Sequence, residues 1–262
     1  MNTRALSVIV CALLIAASAI AHAQARRDRV FLRDLEGVWV EEKYADALQK
    51  SRMPHAVAKR IEPLVIAIRR EGRSFPMLVT NFDRAAVQAV LDVEPDKKPG
   101  SYRLVLAPDD QPISSEKVQY LWFKGERNAE GRFEVLEMAE LFFRKGKWAS
   151  YRNVGAALGP FVNGAVIAGR YRDAEGRSWE FSKQGEAYLP DETFPYELSL
   201  NDKRANCEYL EGDDLKALDG KRRIGFAWKN DRLELYKATM VNKRVRCEAK
   251  PFAVLTPQRQ GA

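Results

Sequence analysis

Histidine and cysteine are scarce in this sequence: its 262 residues include two histidines and three cysteines. His22 and Cys11 lie in an apolar N-terminal segment, which leaves His55, Cys207 and Cys247 for the rest of the chain. Catalysis by a Ser-His-Asp or Cys-His arrangement needs a histidine that takes a proton near neutral pH. Nothing beside His55 in the sequence supplies the other groups, so we interpret it as a surface histidine. We predict no catalytic residues, and the sequence favours a non-enzymatic protein.

The sequence also contains few residues that could bind a metal ion and no motif that binds phosphate. One histidine and two cysteines do not build a zinc site, and only carboxylates remain as ligands. Glu208, Glu211 and the pair Asp213-Asp214 lack the spacing of a calcium loop, so we interpret this stretch as an exposed acidic turn. The sequence has no P-loop lysine motif and no Gly-x-Ser-x-Gly elbow. We therefore predict neither a metal nor a cofactor, and catalysis by carboxylates that folding brings together stays open.

The N-terminal segment has the pattern of a secretory signal. Arg4 precedes an apolar run over residues 5–20, and Ala21-His22-Ala23 is a small-x-small cleavage site. The run is short for a membrane span of about 20 residues. We predict a signal peptide over residues 1–23, a periplasmic or secreted mature chain, and no transmembrane span after cleavage.

Two cysteines remain in the predicted mature chain, Cys207 and Cys247. An even pair in an exported protein is most simply a disulfide. We predict that they form one.

Beyond residue 63 the sequence alternates short apolar runs with turn clusters. Glu-Gly-Arg recurs at 71–73, 130–132 and 175–177, each time between two such runs, with glycine where a tight hairpin needs positive φ. This pattern predicts an antiparallel meander. The predicted strands are 64–70, 75–81, 86–93, 102–107, 118–124, 132–138, 141–144, 148–152, 169–172, 178–182, 186–189, 196–200, 224–228 and 233–238, with a last extended stretch at 244–255.

Two segments depart from the meander. Residues 45–62, which follow a first strand at 35–44, predict two short helices that meet near 51–54, because Pro54 is tolerated only in a first turn. Residues 154–169 carry no charge and four glycines, and we interpret them as a buried connector.

We place a domain boundary in this connector. Residues 24–159 form a first barrel unit with the helical insertion, and residues 160–262 form a second, smaller unit stapled by the disulfide.

Aromatic residues are frequent on the predicted strands of the first unit. Tyr120, Trp122, Phe143, Trp148 and Tyr151 are the main examples. They are either the core of a small barrel or the lining of an apolar cavity. In the second case the ligand is a lipid or another apolar small molecule.

Basic residues concentrate near the C-terminus. Residues 201–262 carry 14 Lys and Arg against 9 Asp and Glu, whereas residues 24–200 carry 28 against 27. Arg244 and Arg246 share one face of a strand because alternate residues point the same way. They either protect an edge strand or contact anions such as lipopolysaccharide, phospholipid head groups or an acidic protein. The sequence has no nucleic-acid reading motif, and we predict no nucleic-acid partner.

Gly37-Val38-Trp39, in the first predicted strand, resembles the Gly-x-Trp motif that begins lipocalins. The order of strand, helical pair and long meander is similar to that of the fatty-acid-binding proteins of the wider calycin group. The resemblance covers residues 30–155 and implies structural roles for Gly37 and Trp39. It also implies that Trp39 closes the barrel floor and that residues 45–62 cover its mouth.

Together these features predict an all-β fold: an antiparallel meander that forms one or two calycin-like barrels, with a short helical insertion after the first strand. The expected function is an exported non-enzymatic binding protein that holds a lipid or other apolar small molecule in a β-barrel. The alternative is a cell-envelope protein-interaction module, an inhibitor or assembly factor, that uses its loops or the basic C-terminal edge.

Overall fold

The computed structural model describes residues 30–61, 64–98, 100–108, 119–128, 130–140, 147–202, 204–213 and 220–258. These residues are mostly β-strand with few helices, which confirms the all-β prediction. The predicted signal peptide, Phe143 and the strand predicted at 141–144 lie outside the described residues. None of the described helices has the length and hydropathy that a membrane span requires.

Within the described ranges, eight consecutive strands close into one antiparallel barrel in chain order, as the meander predicts. The strands are β1 (Gly37–Glu41), β2 (Val65–Ile68), β3 (Pro76–Thr80), β4 (Ala85–Pro95), β5 (Ser101–Pro108), β6 (Gln119–Lys124), β7 (Val135–Glu140) and β8 (Lys147–Asn153). The barrel closes where β1 pairs with β8, with Trp39 opposite Asn153 and Glu41 opposite Tyr151.

A second sheet follows the barrel and contains ten of the described strands. They are β9 (Gly169–Arg172), β10 (Ser178–Phe181), β11 (Glu186–Leu189), β12 (Glu192–Pro195), β13 (Glu197–Leu198), β14 (Glu208–Asp213), β15 (Lys221–Lys229), β16 (Arg232–Val241), β17 (Arg244–Cys247) and β18 (Ala253–Pro257). Their order is β12-β11-β10-β9-β18-β16-β15-β14-β13, and β17 also pairs with β16. The described residues therefore form one closed barrel and one further sheet.

The predicted helical pair follows β1. Helix α1 (Glu42–Ser51) ends before Arg52, whose φ of 56° lies in the left-handed region. Helix α2 (Pro54–Ala58) begins at Pro54, the first-turn position where a ring without an N–H group is tolerated. A short 3-10 helix, Leu32–Leu35, precedes β1.

The predicted connector at 154–169 contains a helix, α3 (Leu158–Val166). Pro160 falls in its first turn, and Val162 and Val166 are buried. Asn163 is 5% exposed and donates a hydrogen bond to Lys183 O at 3.0 Å. Burial of one apolar face thus stabilises a helix whose glycines disfavour it.

The chain groups into two compact units, each assembled from several segments. The first consists of the described residues up to Glu36, Ile68–Met77 and Val87–Ala149; the second consists of Gly37–Ala67, Leu78–Ala86 and the described residues from Ser150 onwards. In the second unit, side chains of β1, α1, α3 and the second sheet share one apolar core, which includes Val40, Leu48, Val162 and Phe226. The domain boundary at residues 159–160 stays a prediction.

Cys207 and Cys247 form the predicted disulfide, with their Cα atoms 6.1 Å apart. Gly225 of β15 lies against this bridge, because a Cβ atom added there would overlap Cys247 Sγ. Glycine at this position is therefore a packing requirement of the disulfide.

Gly225→Ala is expected to lower the free energy of unfolding by about 1–3 kcal/mol, since the added methyl overpacks the bridge. Urea denaturation of the oxidised protein, followed by far-UV circular dichroism, measures the loss. Gly159→Ala is the matched control: no atom lies within 4 Å of a Cβ built there, and its backbone lies outside the left-handed region. Equal stability of the two variants would contradict the close approach at Gly225.

Candidate functional site

Inward side chains fill the described part of the barrel in the first unit. Leu104 pairs with Leu121 and Phe123 pairs with Met138 across β5, β6 and β7. Each of these four side chains is at most 2% exposed. The interior between these strands is therefore occupied by the protein's own apolar side chains.

Tyr120 and Trp122 lie on the opposite face of β6 from Leu121 and Phe123, because successive strand residues alternate. Trp122 is 37% exposed, and Arg103 lies over the Tyr120 ring at 4.7 Å. Both predicted ligand-binding residues are thus on the outer surface of the barrel.

The other predicted ligand-binding residues do not form one site with Tyr120 and Trp122. Trp148 is 50% exposed, with Lys124 Nζ 5.4 Å from its ring, whereas Tyr151 is fully buried. Trp148 and Tyr151 are three residues apart on β8, and they face opposite sides of the strand. Phe143 lies outside the described residues.

Gly37 and Trp39 occupy the start of β1. Trp39 is fully buried. Gly37 has a φ of 138°, and a Cβ there would lie 3.0 Å from the Asn153 side chain and 3.3 Å from Gly155 O. Both residues make close packing contacts where β1 meets β8.

A cleft of about 1140 Å³ lies in the first unit. Its walls come from residues 30–33 at the 3-10 helix, the hairpin loop at 70–75, residues 92–95 at the end of β4, and Tyr102 of β5. The ends of β2 and β4 and the starts of β3 and β5 fall at the same end of an antiparallel meander, which brings these segments together. We call this site the arginine cleft.

The arginine cleft carries positive charge that the protein does not neutralise. Arg70 Nε donates to Gly72 O at 3.2 Å, and neither Arg70 nor Arg73 forms an ion pair within the described ranges. Glu94, on the opposite wall, is paired with Arg103 at 2.6 Å. Asp92 is the remaining acidic group of the cleft, and one of its oxygens accepts the Val93 N–H at 2.7 Å. The two exposed guanidinium groups are free to bind an anion.

The other walls of the cleft are apolar and held in place. Phe31, Phe75 and Val93 line it beside Tyr102, whose ring stacks on buried Phe123 at 5.3 Å. The wall at residues 30–33 is anchored by Asp34, which accepts hydrogen bonds from Phe31 N at 2.9 Å and Arg127 Nη2 at 2.7 Å. The cleft therefore places anion-binding groups beside a fixed apolar surface.

His55 is buried, 4% exposed, and its interpretation as a surface histidine is wrong. Its Nδ1 lies 3.1 Å from Cys207 O and its Nε2 lies 3.0 Å from Ser199 Oγ. Glu208 accepts hydrogen bonds from the backbone N–H groups of His55 at 2.8 Å and Ala56 at 3.0 Å. We call His55, Ser199 and Glu208 the histidine latch.

Glu208 is only 5% exposed, and it begins strand β14. The prediction of an exposed acidic turn at 208–214 is therefore wrong for residues 208–213, which form a strand. Asp214 lies outside the described residues. Packing against α2 buries the first carboxylate of this acidic stretch, and Glu211 pairs with Arg223 at 2.7 Å.

The histidine latch has a serine–histidine contact, as a hydrolase does, and two backbone amides close to it in sequence are already hydrogen-bonded within the protein. Acyl transfer also requires free N–H donors at the developing oxyanion. Ser199 N donates to Tyr209 O at 3.1 Å, and Arg204 N donates to Asp202 Oδ1 at 2.9 Å. Burial raises the pKa of Tyr209, whose hydroxyl donates to Asp202 at 3.1 Å. This arrangement joins α2 to strand β14 and the segment around Ser199.

Arg244 and Arg246 lie on β17 and are both exposed. Their register partners on β16 are Val241 and Thr239, which places both arginines on one face of the hairpin. Neither forms an ion pair within the part of the chain that the structure describes.

No family model, curated protein or solved structure is significantly similar to this chain. In the described ranges, no three His, Cys, Asp or Glu side chains are placed to hold a metal ion. The geometry of the arginine cleft is therefore the basis for a functional proposal.

Proposed function

We propose that this protein is an exported, non-enzymatic binding protein that holds an amphipathic molecule with an anionic head group in the arginine cleft. The observation that carries the proposal is the cleft of about 1140 Å³, in which Arg70 and Arg73 adjoin aromatic and aliphatic walls. Ligand pockets commonly have volumes of about 300–1,000 Å³. A long acyl chain with its head group fits a cleft of this size.

The head group in this proposal is a carboxylate or a phosphate. Guanidinium groups bind both through paired N–H donors, and such charge-assisted hydrogen bonds are stronger than neutral ones. Because Arg103 engages Glu94, the facing carboxylate competes less with an incoming anion. The tail would pack on Phe31, Phe75 and Val93, where each buried methylene contributes about 0.8 kcal/mol.

This proposal moves the ligand from the barrel interior to a cleft at one end of the meander. The packed interior side chains support the change, since Leu104 and Phe123 leave that space to the protein itself. Membership of the wider calycin group is part of the proposal, and an eight-stranded antiparallel barrel is compatible with it.

The proposed location is the periplasm, reached by means of the predicted signal peptide. The disulfide between Cys207 and Cys247 supports an oxidising compartment. A ligand carrier in that compartment would shield the acyl chain of its ligand from the surrounding water.

Removal of both cleft arginines is expected to weaken ligand binding about tenfold or more, because each charge-assisted hydrogen bond contributes about 1.5–3 kcal/mol. The experiment titrates a fluorescent long-chain fatty acid into the protein purified from an exporting host. It compares the wild type with Arg70→Ala/Arg73→Ala. Native mass spectrometry of the same preparation tests for a co-purified ligand.

The matched control is Arg69→Ala/Arg132→Ala, which also removes two positive charges, from exposed positions outside the cleft lining. It should leave the affinity unchanged. Equal weakening by the control would point to general electrostatic attraction. Absence of fatty-acid binding by the wild type, together with a clean unliganded mass, would overturn the carrier proposal.

A second candidate function is a cell-envelope protein-interaction module. It is favoured by three exposed apolar side chains in the first unit: Trp122 is 37%, Val135 38% and Trp148 50% exposed. Aromatic residues at a surface are enriched in protein interfaces. A clean unliganded mass together with failed fatty-acid binding would favour this candidate over the carrier.

A further inference from the structure

The hairpin made by β16 and β17 projects a short, tightly turned tip. Asn242 and Lys243 have φ values of 50° and 60°, as in the two-residue turn that joins paired strands. Val241 and Arg244 on either side of the turn pair with each other. We call residues 237–248 the basic hairpin.

The base of the basic hairpin is firmly attached, whereas its tip is exposed. Val245 is fully buried, and Cys247 is bonded to Cys207. Cys247 N also donates to Asn206 Oδ1 at 2.9 Å. The six residues from 239 to 244 are all exposed. The exposed tip is therefore carried by a firmly attached base.

Cations outnumber anions on this hairpin. It carries Lys237, Lys243, Arg244 and Arg246 against Glu248, a net charge of 4 − 1 = +3. None of these five side chains forms an ion pair among the described residues. The cations of this hairpin are thus not engaged in ion pairs within the described structure.

Two apolar side chains sit at the same tip. Met240 is 44% and Val241 is 48% exposed, directly before the turn. Charged residues that protect an edge strand from pairing would account for the arginines. They would not account for Met240 and Val241, whose exposure adds no such protection.

We propose that the basic hairpin binds the surface of an anionic phospholipid membrane. Lys243, Arg244 and Arg246 contact the phosphate groups. The hairpin enters with its turn first, so that Val241 on the arginine face and Met240 on the opposite face both reach the boundary between head groups and acyl chains. Cationic residues beside exposed apolar ones are the combination that binds membrane interfaces. The rigid turn presents both kinds of side chain without a cost for ordering the backbone. This surface is separate from the arginine cleft and does not depend on ligand binding there.

The test is co-sedimentation of the purified, exported protein with vesicles. One set contains equal parts of phosphatidylglycerol and phosphatidylcholine, and the other contains phosphatidylcholine alone. The wild type should bind the anionic vesicles and not the neutral ones, and added salt should weaken binding. Arg244→Glu/Arg246→Glu should lower the affinity at least tenfold.

Arg69→Glu/Arg132→Glu is the matched control, because it makes the same change in net charge at two exposed positions outside the hairpin. It should retain most of the binding. Met240→Ser/Val241→Ser keeps every charge and should weaken binding through the apolar contribution alone. These are surface changes, and circular dichroism should show all three variants folded.

Equal losses in the hairpin and control variants would overturn the proposal, since net charge alone would then explain binding. Binding to both kinds of vesicle alike would also overturn it. Failure of the wild type to bind anionic vesicles would overturn it and favour an acidic protein as the partner of these cations.

Discussion

Replacement of Phe123 by alanine is expected to lower the free energy of unfolding by about 3–5 kcal/mol, because a large fully buried ring is lost from a packed core. Phe123 is 0% exposed, stacks on Tyr102 at 5.3 Å and meets Phe133 edge-on at 6.3 Å. Urea denaturation followed by far-UV circular dichroism measures the change.

Its neighbour on the same strand provides the control. Trp122→Ala should cost less than about 1 kcal/mol, since that side chain lies on the outer face and is 37% exposed. A reversed order of the two losses would mean that β6 is shifted by one residue, because such a slip exchanges the two faces of a strand. Tyr120 and Trp122 would then face inward, as a cavity in the barrel requires.

Glu208→Ala is expected to destabilise the protein by about 3 kcal/mol or more, because it leaves buried donors without their acceptor. The carboxylate accepts two backbone N–H groups of α2, at 2.8 and 3.0 Å, and lies 3.5 Å from His55 Nδ1. Chemical denaturation at neutral pH measures the loss.

Glu208→Gln should lose less, since its amide keeps one oxygen acceptor in nearly the same volume. Glu197→Ala is the control for removing a carboxylate nearby, because Glu197 is exposed on β13. If Glu208→Ala were no more costly than Glu197→Ala, the histidine latch would not hold α2 to the sheet.

Turn chemistry made much of the meander predictable. Gly72, Gly131 and Gly176, the centres of the three Glu-Gly-Arg motifs, all have positive φ. Around Gly72, Glu71 and Ser74 exchange backbone hydrogen bonds of 2.9 and 3.0 Å across a tight turn. Strands β9 and β11 begin and end where the sequence pattern places them, at 169–172 and 186–189.

Strand faces were harder to assign, although the sequence holds a signal for them. Both faces of β6 are apolar, so Tyr120 and Trp122 look like core residues. Lys124 shares their face by parity, and it identifies the solvent side. Trp148 and Tyr151 are an odd number of residues apart, so they cannot line one cavity from a regular strand.

The sequence analysis did not predict two elements whose residues disfavour the secondary structure that they adopt. Strand β14 is rich in Glu and Asp, which disfavour strands, yet it pairs along its whole length with β15. The helix α3 contains glycines and proline. In both cases tertiary burial outweighs local propensity, and a single sequence does not show which distant segment supplies the burial.

The histidine latch was unpredictable for the same reason. His55 and Glu208 are 153 positions apart in the sequence. No local pattern around either residue indicates the other. A buried polar pair of this kind becomes visible only when the chain has been folded.

That separation also sets an order of events during folding. The barrel closes only when the segment around Asn153 reaches Trp39, and α2 receives its acceptor only when Glu208 arrives. Contacts between such distant residues form late, because a long loop must close first. During synthesis, the two α2 amides that donate to Glu208 would stay bonded to water until strands β9 to β13 have been made and Glu208 follows them.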